Sequence, residues 1–352
     1  MSTYWSELTE SLEPYVPGEQ PKDRTYIKLN TNENPYPPSP KALEAIREAA
    51  GADLRLYPDP TCDSLRETIA AHYGLTKEHV FVGNGSDEIL AFAFPAFFSA
   101  KRPILFPDIT YSFYPVYAQL YRLPYETVPT DEQFRIDPKS YSVPNGGVIL
   151  PNPNAPTARY LITNGIKEIL EANRGQVVIV DEAYIDFGGE SVVPLVAEYP
   201  NLLVVQTLSK SRSLAGLRVG MAFGHPDLIE GLNRIKNSFN SYTLDRLALA
   251  GAIAAIEDRA YFEETNRKVV ATRDRTTAAL RELGFEVIDS LANFVFVTHP
   301  VKEARELFAA LKERGILVRY FNKPRIDRYL RVSIGTDEEM DAFLDALREL
   351  AA

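Results

Sequence analysis

An α/β protein with a mostly parallel sheet is predicted by three features of this 352-residue chain. Short β-rich runs alternate with helical ones from about residue 79 to residue 224. The β-runs are continuous and apolar rather than alternating, the pattern of strands buried on both faces. Each is followed at once by polar residues, as when strands deliver side chains to one sheet edge. Beyond about Asp245 a long helical region leads into strands separated by helices, which predicts a smaller α+β domain. The expected division is an N-terminal arm and loop over 1–38, a large domain over 39–244 and a small domain over 245–352. The arm is expected to pack on the small domain, which it helps to build, or on a partner subunit.

The elements follow in order. The first forty residues are rich in proline and poor in apolar period, so they read as an extended arm and loop. Ser39 and Pro40 supply an N-cap and a first-turn proline for a helix whose stripe is Ala42, Leu43, Ile46, Ala49 and Ala50. A second helix follows RLYPDP, with Thr61 as the expected cap and Gly74 as the stop. Then come HVFVGN, a helix from about Ser86, PILFP, an aromatic helix over 114–120 and GGVILPNP. A helix with Thr163 as expected cap and Gly175 as stop precedes QVVIVDEAY, LLVVQTLSK and RVGMAFG. Residues 245–283 contain few breakers and read as one helical stretch, followed by EVIDS, NFVFVTHP, a helix through Leu311, GILVRYF, RYLRVSIG and a last helix with Asp337 and Glu338 in its first turn.

The totals bound the function. A net charge of −10 without any basic block argues against nucleic acid as partner, and no apolar run reaches membrane-spanning length. Cys62 is the only cysteine, so no intrachain disulfide is possible and a reducing, cytoplasmic setting is expected. No P-loop, HExxH, CxxC or G-x-S-x-G pattern occurs, and His72, His79, His225 and His299 lack metal-ligand spacing. Small-molecule substrates are the expected partners.

The strand ends carry the chemistry. Gly83-Asn84-Gly85-Ser86 follows HVFV, Asn152 and Asn154 follow VIL, Asp181 and Tyr184 follow VVIV, and Thr207, Ser209 and Lys210 follow LLVV. Each has an ordinary structural reading too: GNGS as a turn and cap, Asp181 as a cap or salt-bridge partner, Asn154 as a turn residue among prolines, Lys210 and Arg218 as surface charges. One ligand would use them all. Lysine would supply an imine, a carboxylate would keep a pyridine nitrogen protonated, and amide and phenol would hold a ring oxygen. Hydroxyls, helix amides and an arginine would take a phosphate. That ligand is pyridoxal 5′-phosphate.

TLSKSRSLAGLRVG resembles the cofactor-lysine segment of fold-type I aminotransferases. LNTNENPYPPSP, RLYPDP, GNGSDEIL, PNPNAPT, VDEAYIDF and YLRVSIGT together resemble the histidinol-phosphate branch of that family, in order along nearly the whole chain. The resemblance implies a fold-type I transferase acting as a homodimer with a shared active site. Lys210 would hold the cofactor and shuttle a proton, Asp181 would pair with the ring nitrogen, Asn154 and Tyr184 would bond the ring oxygen, and Tyr111 would stack on the ring. Gly85, Ser86, Thr207, Ser209 and Arg218 would hold the phosphate, with Tyr57 reaching it from the other subunit. Arg331, helped by Arg319, would grip the substrate anion, and Asn34 and Tyr36 would complete the substrate side. The implied reaction pairs L-histidinol phosphate and 2-oxoglutarate with imidazole-acetol phosphate and glutamate, in histidine biosynthesis. Aromatic amino-acid aminotransferases and threonine-phosphate decarboxylases share nearly all these motifs, whereas a non-catalytic binding module would be expected to have lost the lysine or the acid. One departure stands out: the family's usual paired asparagines and glycine are replaced by Asn154-Ala155-Pro156-Thr157-Ala158, and alanine takes positive φ less cheaply than glycine.

Overall fold

The computed structural model describes residues 3–15 and 18–351; residues 1, 2, 16 and 17 of the expected arm lie outside the described ones. The arm carries a short helix α1 (Glu7–Ser11) and a two-residue strand β1 (Ile27–Lys28). Helix α2 (Pro40–Ala49) starts as expected, with the Ser39 hydroxyl accepting the Lys41 N–H. Helix α3 (Asp63–Tyr73) stops at Gly74 but is not capped by Thr61. Instead the Asp59 carboxylate accepts the N–H groups of Thr61 and Asp63, a charged acceptor outcompeting a hydroxyl.

The alternating region runs β2 (Val80–Asn84), α4 (Gly85–Phe97), β3 (Ile104–Pro107), α5 (Phe113–Leu120), β4 (Tyr125–Val128), β5 (Gly147–Pro151) and α6 (Thr163–Ala172). It continues through β6 (Val178–Asp181), β7 (Leu202–Thr207), β8 (Val219–Gly224) and α7 (Pro226–Phe239). Thr163 is the first helical residue of α6 rather than its cap, because its hydroxyl donates to Glu190 at 3.0 Å. Strand β4, absent from the sequence reading, is an edge strand with only Val128 buried, so it lacks the apolar run of the others.

Seven strands form one sheet in the order β2-β8-β7-β6-β5-β3-β4. Only β8 runs against the rest, and β3, β5, β6 and β7 are fully buried, as continuous apolar runs require. The chain then forms α8 (Arg246–Glu257), α9 (Arg259–Glu282), β9 (Glu286–Ile288), β10 (Phe294–Thr298), α10 (Ala304–Glu313), β11 (Ile316–Leu317), β12 (Arg319–Tyr320), β13 (Leu330–Ser333) and α11 (Asp337–Ala351). Strands β12-β13-β10-β9 make a second, antiparallel sheet.

The expected single stretch 245–283 is two helices that break at Asp258, whose carboxylate accepts the Ser39 hydroxyl and pairs with Lys41 at 3.2 Å. Ala248, Ala252, Ala255 and Ile256 of α8 pack in the larger core, while Val269 and Leu280 of α9 pack in the smaller one. The change of core therefore falls at Asp258, whereas the sequence texture changes at 245. The arm joins the smaller core: β1 pairs with β11, and Leu29 is buried there. Ile109 and Phe134 meet Phe296 and Ile326 between the two cores, and Arg325 reaches across to Asp108 and the Thr130 carbonyl. Among the described residues no helix is long and apolar enough to cross a membrane.

Candidate active site

Because only β8 opposes the other strands, the carboxyl ends of β2, β3, β5, β6 and β7 share one edge, and the turn into β8 returns to it. A cavity of ≈ 270 Å³ lies there. The large sheet and its loops give it Ser86, Tyr111, Asp181, Tyr184, Thr207, Ser209, Lys210 and Arg218. The smaller sheet gives it Arg319 and Arg331, the loop after β12 gives Phe321, and the arm gives Tyr15, Asn32 and Glu33.

Asp181 ends β6 inside the protein, 5% exposed. It accepts the hydroxyl of the fully buried Tyr114 at 3.0 Å and the Ala183 N–H at 3.3 Å. Burial, only partly offset by these donors, pushes its pKa up to about 6. No lysine or arginine forms an ion pair with it among the described residues, so a buried carboxylate faces the cavity without its cation. Lys210 follows β7; its Nζ donates to the Thr31 carbonyl at 3.4 Å and lies 5.7 Å from the centre of the Tyr184 ring. The Tyr184 hydroxyl accepts from Asn32 Nδ2 at 3.0 Å.

An anion cradle adjoins them. Gly85 opens α4 at φ +79°, and a Cβ there would come within 2.5 Å of an Arg218 guanidinium nitrogen. A Cβ on Gly220 would meet the Gly85 carbonyl carbon at 2.4 Å, so two glycines let the start of α4 close against β8. Thr207 Oγ1 donates to Ser209 Oγ at 3.0 Å, and Arg218 reaches Ser209 Oγ at 3.4 Å. Helix-start amides, two hydroxyls and a guanidinium make up the donor set of a phosphate site.

On the opposite wall, Arg331 donates to the Asn30 carbonyl at 3.0 Å and lies over the Phe294 and Phe321 rings at 5.4 and 5.6 Å. Its Nε is buried without a partner, and burial draws its pKa below the ordinary value. Among the described residues, a guanidinium without a salt bridge thus faces the same space as a carboxylate without one.

Five of the residues implied by the resemblance do not line this cavity. Gly85 stands just behind Ser86. Asn154 is fully buried, donating to the Ile109 carbonyl at 2.8 Å and leaving its Oδ1 without a partner, while its neighbours Ala155 and Pro156 form the wall. Ala158 does take positive φ, at +66°, and its N–H closes the turn on the Asn154 carbonyl at 2.7 Å. Asn34 is drawn behind the lysine loop, where its Nδ2 donates to the Lys210 carbonyl at 2.9 Å. Tyr36 packs with the smaller core, Lys268 lying over its ring. Tyr57 is 78% exposed, stacked on Tyr242 at 4.6 Å on the outside of the chain.

Of the lining residues that the sequence did not single out, three stand out. Asp87 is one, in a helix first turn where an acid ordinarily complements the dipole. Asn32 is another, a buried residue at φ +55°. The third is Tyr15, stacked on Phe113 at 4.4 Å. Positive φ at Asn32 is a three-dimensional fact that its surroundings in sequence do not signal.

The carboxylate without an ion pair, the lysine and the cradle fit one group: a cationic ring carrying a phosphate. Fold and site together define a fold-type I transferase. The family model for aminotransferase class I and II matches residues 24–347. Histidinol-phosphate aminotransferases from Clostridium acetobutylicum and Clostridium beijerinckii are 60% identical to this chain, over 100% of both chains in the first case and over 99% of this chain and 97% of the relative in the second. The crystal structure of histidinol-phosphate aminotransferase from Sinorhizobium meliloti in complex with pyridoxal-5′-phosphate is 26% identical and superposes with a TM-score of 0.90, covering 100% of this chain and 98% of that one. The chain belongs to the class I and II aminotransferases and, among them, to the histidinol-phosphate aminotransferase family.

Proposed function

We propose that the protein transfers the amino group of L-histidinol phosphate to 2-oxoglutarate, giving imidazole-acetol phosphate and glutamate, with pyridoxal 5′-phosphate held on Lys210. The observation that carries this reading is the placement of Lys210 and the buried Asp181 on one wall opposite the buried Arg331 on the other, neither Asp181 nor Arg331 in a salt bridge among the described residues. When bound, the cofactor supplies a carbonyl carbon for the amino nitrogen and an electron-withdrawing ring that makes the donor's α-proton acidic. The chain's residues do the rest.

Lys210 Nζ takes the proton from the amine-bearing carbon and returns one, as a general base and then acid. Asp181 keeps the ring nitrogen protonated, and Tyr114 holds that carboxylate in place. Tyr184 supplies a donor for the ring oxygen and Tyr111 covers the ring; Asn154 joins Tyr184 only when its amide turns from the Ile109 carbonyl. Ser86, Thr207, Ser209 and Arg218 anchor the phosphate. Arg331, with Arg319 beside it, serves in turn the phosphate of the donor and a carboxylate of the acceptor, two anions that one planar guanidinium can grip in the same way.

The active unit we propose is a homodimer. Leu54, Leu56, Tyr57, Phe239 and Tyr242 are large apolar side chains on the outside of the single chain, a patch that suits a second copy. Tyr57 would lie in that interface, within reach of the partner's phosphate cradle. The cytoplasmic setting is kept on the strength of the single buried Cys62.

The test is a panel of amino donors: histidinol phosphate, phenylalanine, tyrosine and threonine phosphate, each scored for conversion of the loaded protein to its pyridoxamine-phosphate form. Histidinol phosphate is expected to react with the highest kcat/KM. An inert histidinol phosphate beside a reactive phenylalanine would overturn the substrate and leave the aminotransferase.

A further inference from the structure

Asp87 lines the cavity, yet the roles above leave its carboxylate unused. Its Oδ1 accepts the Tyr111 hydroxyl at 2.9 Å, and its Oδ2 lies 3.5 Å from an Arg218 guanidinium nitrogen. Its own carbonyl accepts the Tyr117 hydroxyl at 2.9 Å, which anchors the residue from α5. Tyr111 and Arg218 come from separate segments, the loop before α5 and the turn into β8, and this one carboxylate touches both. Burial first, and the Asp87 charge second, push the Tyr111 hydroxyl well above its ordinary pKa, so it keeps the proton that it donates.

An acid beside a phosphate cradle repels the anion that the cradle is built to take. Its presence calls for a compensating role. Arg218 offers a fork of donors: one arm reaches Ser209 Oγ at 3.4 Å and the Ala215 carbonyl at 3.2 Å, and the other turns to Asp87. Without the acid, the second arm of the fork and the Tyr111 hydroxyl lose their common anchor. We propose that Asp87 is a positioning residue of the cofactor site, holding the Tyr111 ring and the Arg218 guanidinium in register through one carboxylate. The inference rests on the cofactor reading above.

The experiment is a titration of pyridoxal 5′-phosphate into apoprotein, read by fluorescence quenching, for the wild type, Asp87→Asn, Asp87→Ala, Tyr111→Phe and the Asp87→Ala/Tyr111→Phe double variant. Positioning predicts a dissociation constant raised about threefold in Asp87→Asn and about tenfold or more in Asp87→Ala. On the Tyr111→Phe background the Asp87→Ala factor shrinks, because one of the two groups it holds no longer has a hydroxyl. Tighter binding in Asp87→Asn would mean that the acid only repels the phosphate, and would overturn the proposal. Unchanged constants, or equal Asp87→Ala factors on both backgrounds, would overturn it too. Should Asp87→Ala fail to fold, the sign of the Asp87→Asn effect decides. A wild type that binds no pyridoxal 5′-phosphate would instead sink the cofactor reading, and this inference with it.

Discussion

On the large-sheet wall of the cavity lies a buried carboxylate that forms no ion pair, and on the small-sheet wall a buried guanidinium that forms none, among the described residues. Asp181 bonds a phenol and one amide and forms no ion pair among the described residues, and burial raises its pKa to about 6. Arg331 meets a carbonyl and two aromatic rings and, among the described residues, no carboxylate, and burial lowers its pKa. Charges left this way destabilise the protein alone, and each is relieved by a ligand group of opposite sign. On the proposed reading, the cofactor's cationic ring belongs to the first wall and the substrate's anion to the second.

The largest effect should come from removing the amine between them. Lys210→Ala is expected to lower kcat by about 10⁴-fold, since it removes the proton carrier, and to abolish the visible absorbance of the lysine-bound cofactor. Steady-state assays with spectra of the same samples check both. Asp181→Asn breaks the negative side: kcat should fall by about 10²- to 10³-fold while cofactor binding survives, because a neutral partner does not hold the ring nitrogen protonated. A near-normal rate would make Asp181 structural.

Arg331→Ala breaks the positive side, and should raise KM for both histidinol phosphate and 2-oxoglutarate by about tenfold to a hundredfold. Arg331→Lys should recover little of that, since a point charge does not reproduce the guanidinium fork. The smallest effect expected is that of Tyr57→Phe, a few-fold weakening of cofactor binding in the dimer. The same titration at protein concentrations below dimer assembly should show no difference between Tyr57→Phe and the wild type.

These two walls were unequally legible in the sequence. Asp181, Thr207, Ser209 and Lys210 stand where apolar runs end, and the rule that parallel strands deliver ligand residues at their carboxyl ends brings them to one edge without further information. Arg331 and Arg319 sit on short strands of an antiparallel sheet, where no such rule applies, and only the resemblance to a family pointed to them. Asn34 shows the limit of a resemblance: it belongs to a telling motif, yet its amide is spent on the Lys210 carbonyl behind the site. Asp87 shows the limit of local reading, because an acid in a helix first turn looks complete before its tertiary partners Tyr111 and Arg218 are known. The helix break at Asp258 was hidden for the same reason: its contacts are with Ser39, 219 residues away in the chain, and with Lys41.

The charge imbalance makes a pH-dependent statement about the protein without its cofactor. A carboxyl whose pKa rises from 3.8 to about 6 on folding binds its proton more tightly in the native state, so stability falls as pH increases through that window and the full cost is present above it. The cost at pH 7.5 is about 2–3 kcal/mol by linkage. The most direct measurement is therefore the melting temperature of wild type and Asp181→Asn at pH 7.5, each with and without pyridoxal 5′-phosphate. The account predicts a crossing: the variant apoprotein melts about 3 °C above the wild-type apoprotein, and the loaded wild type melts above the loaded variant. A variant apoprotein less stable than the wild type at pH 7.5, or a cofactor that stabilises both forms equally, would contradict it.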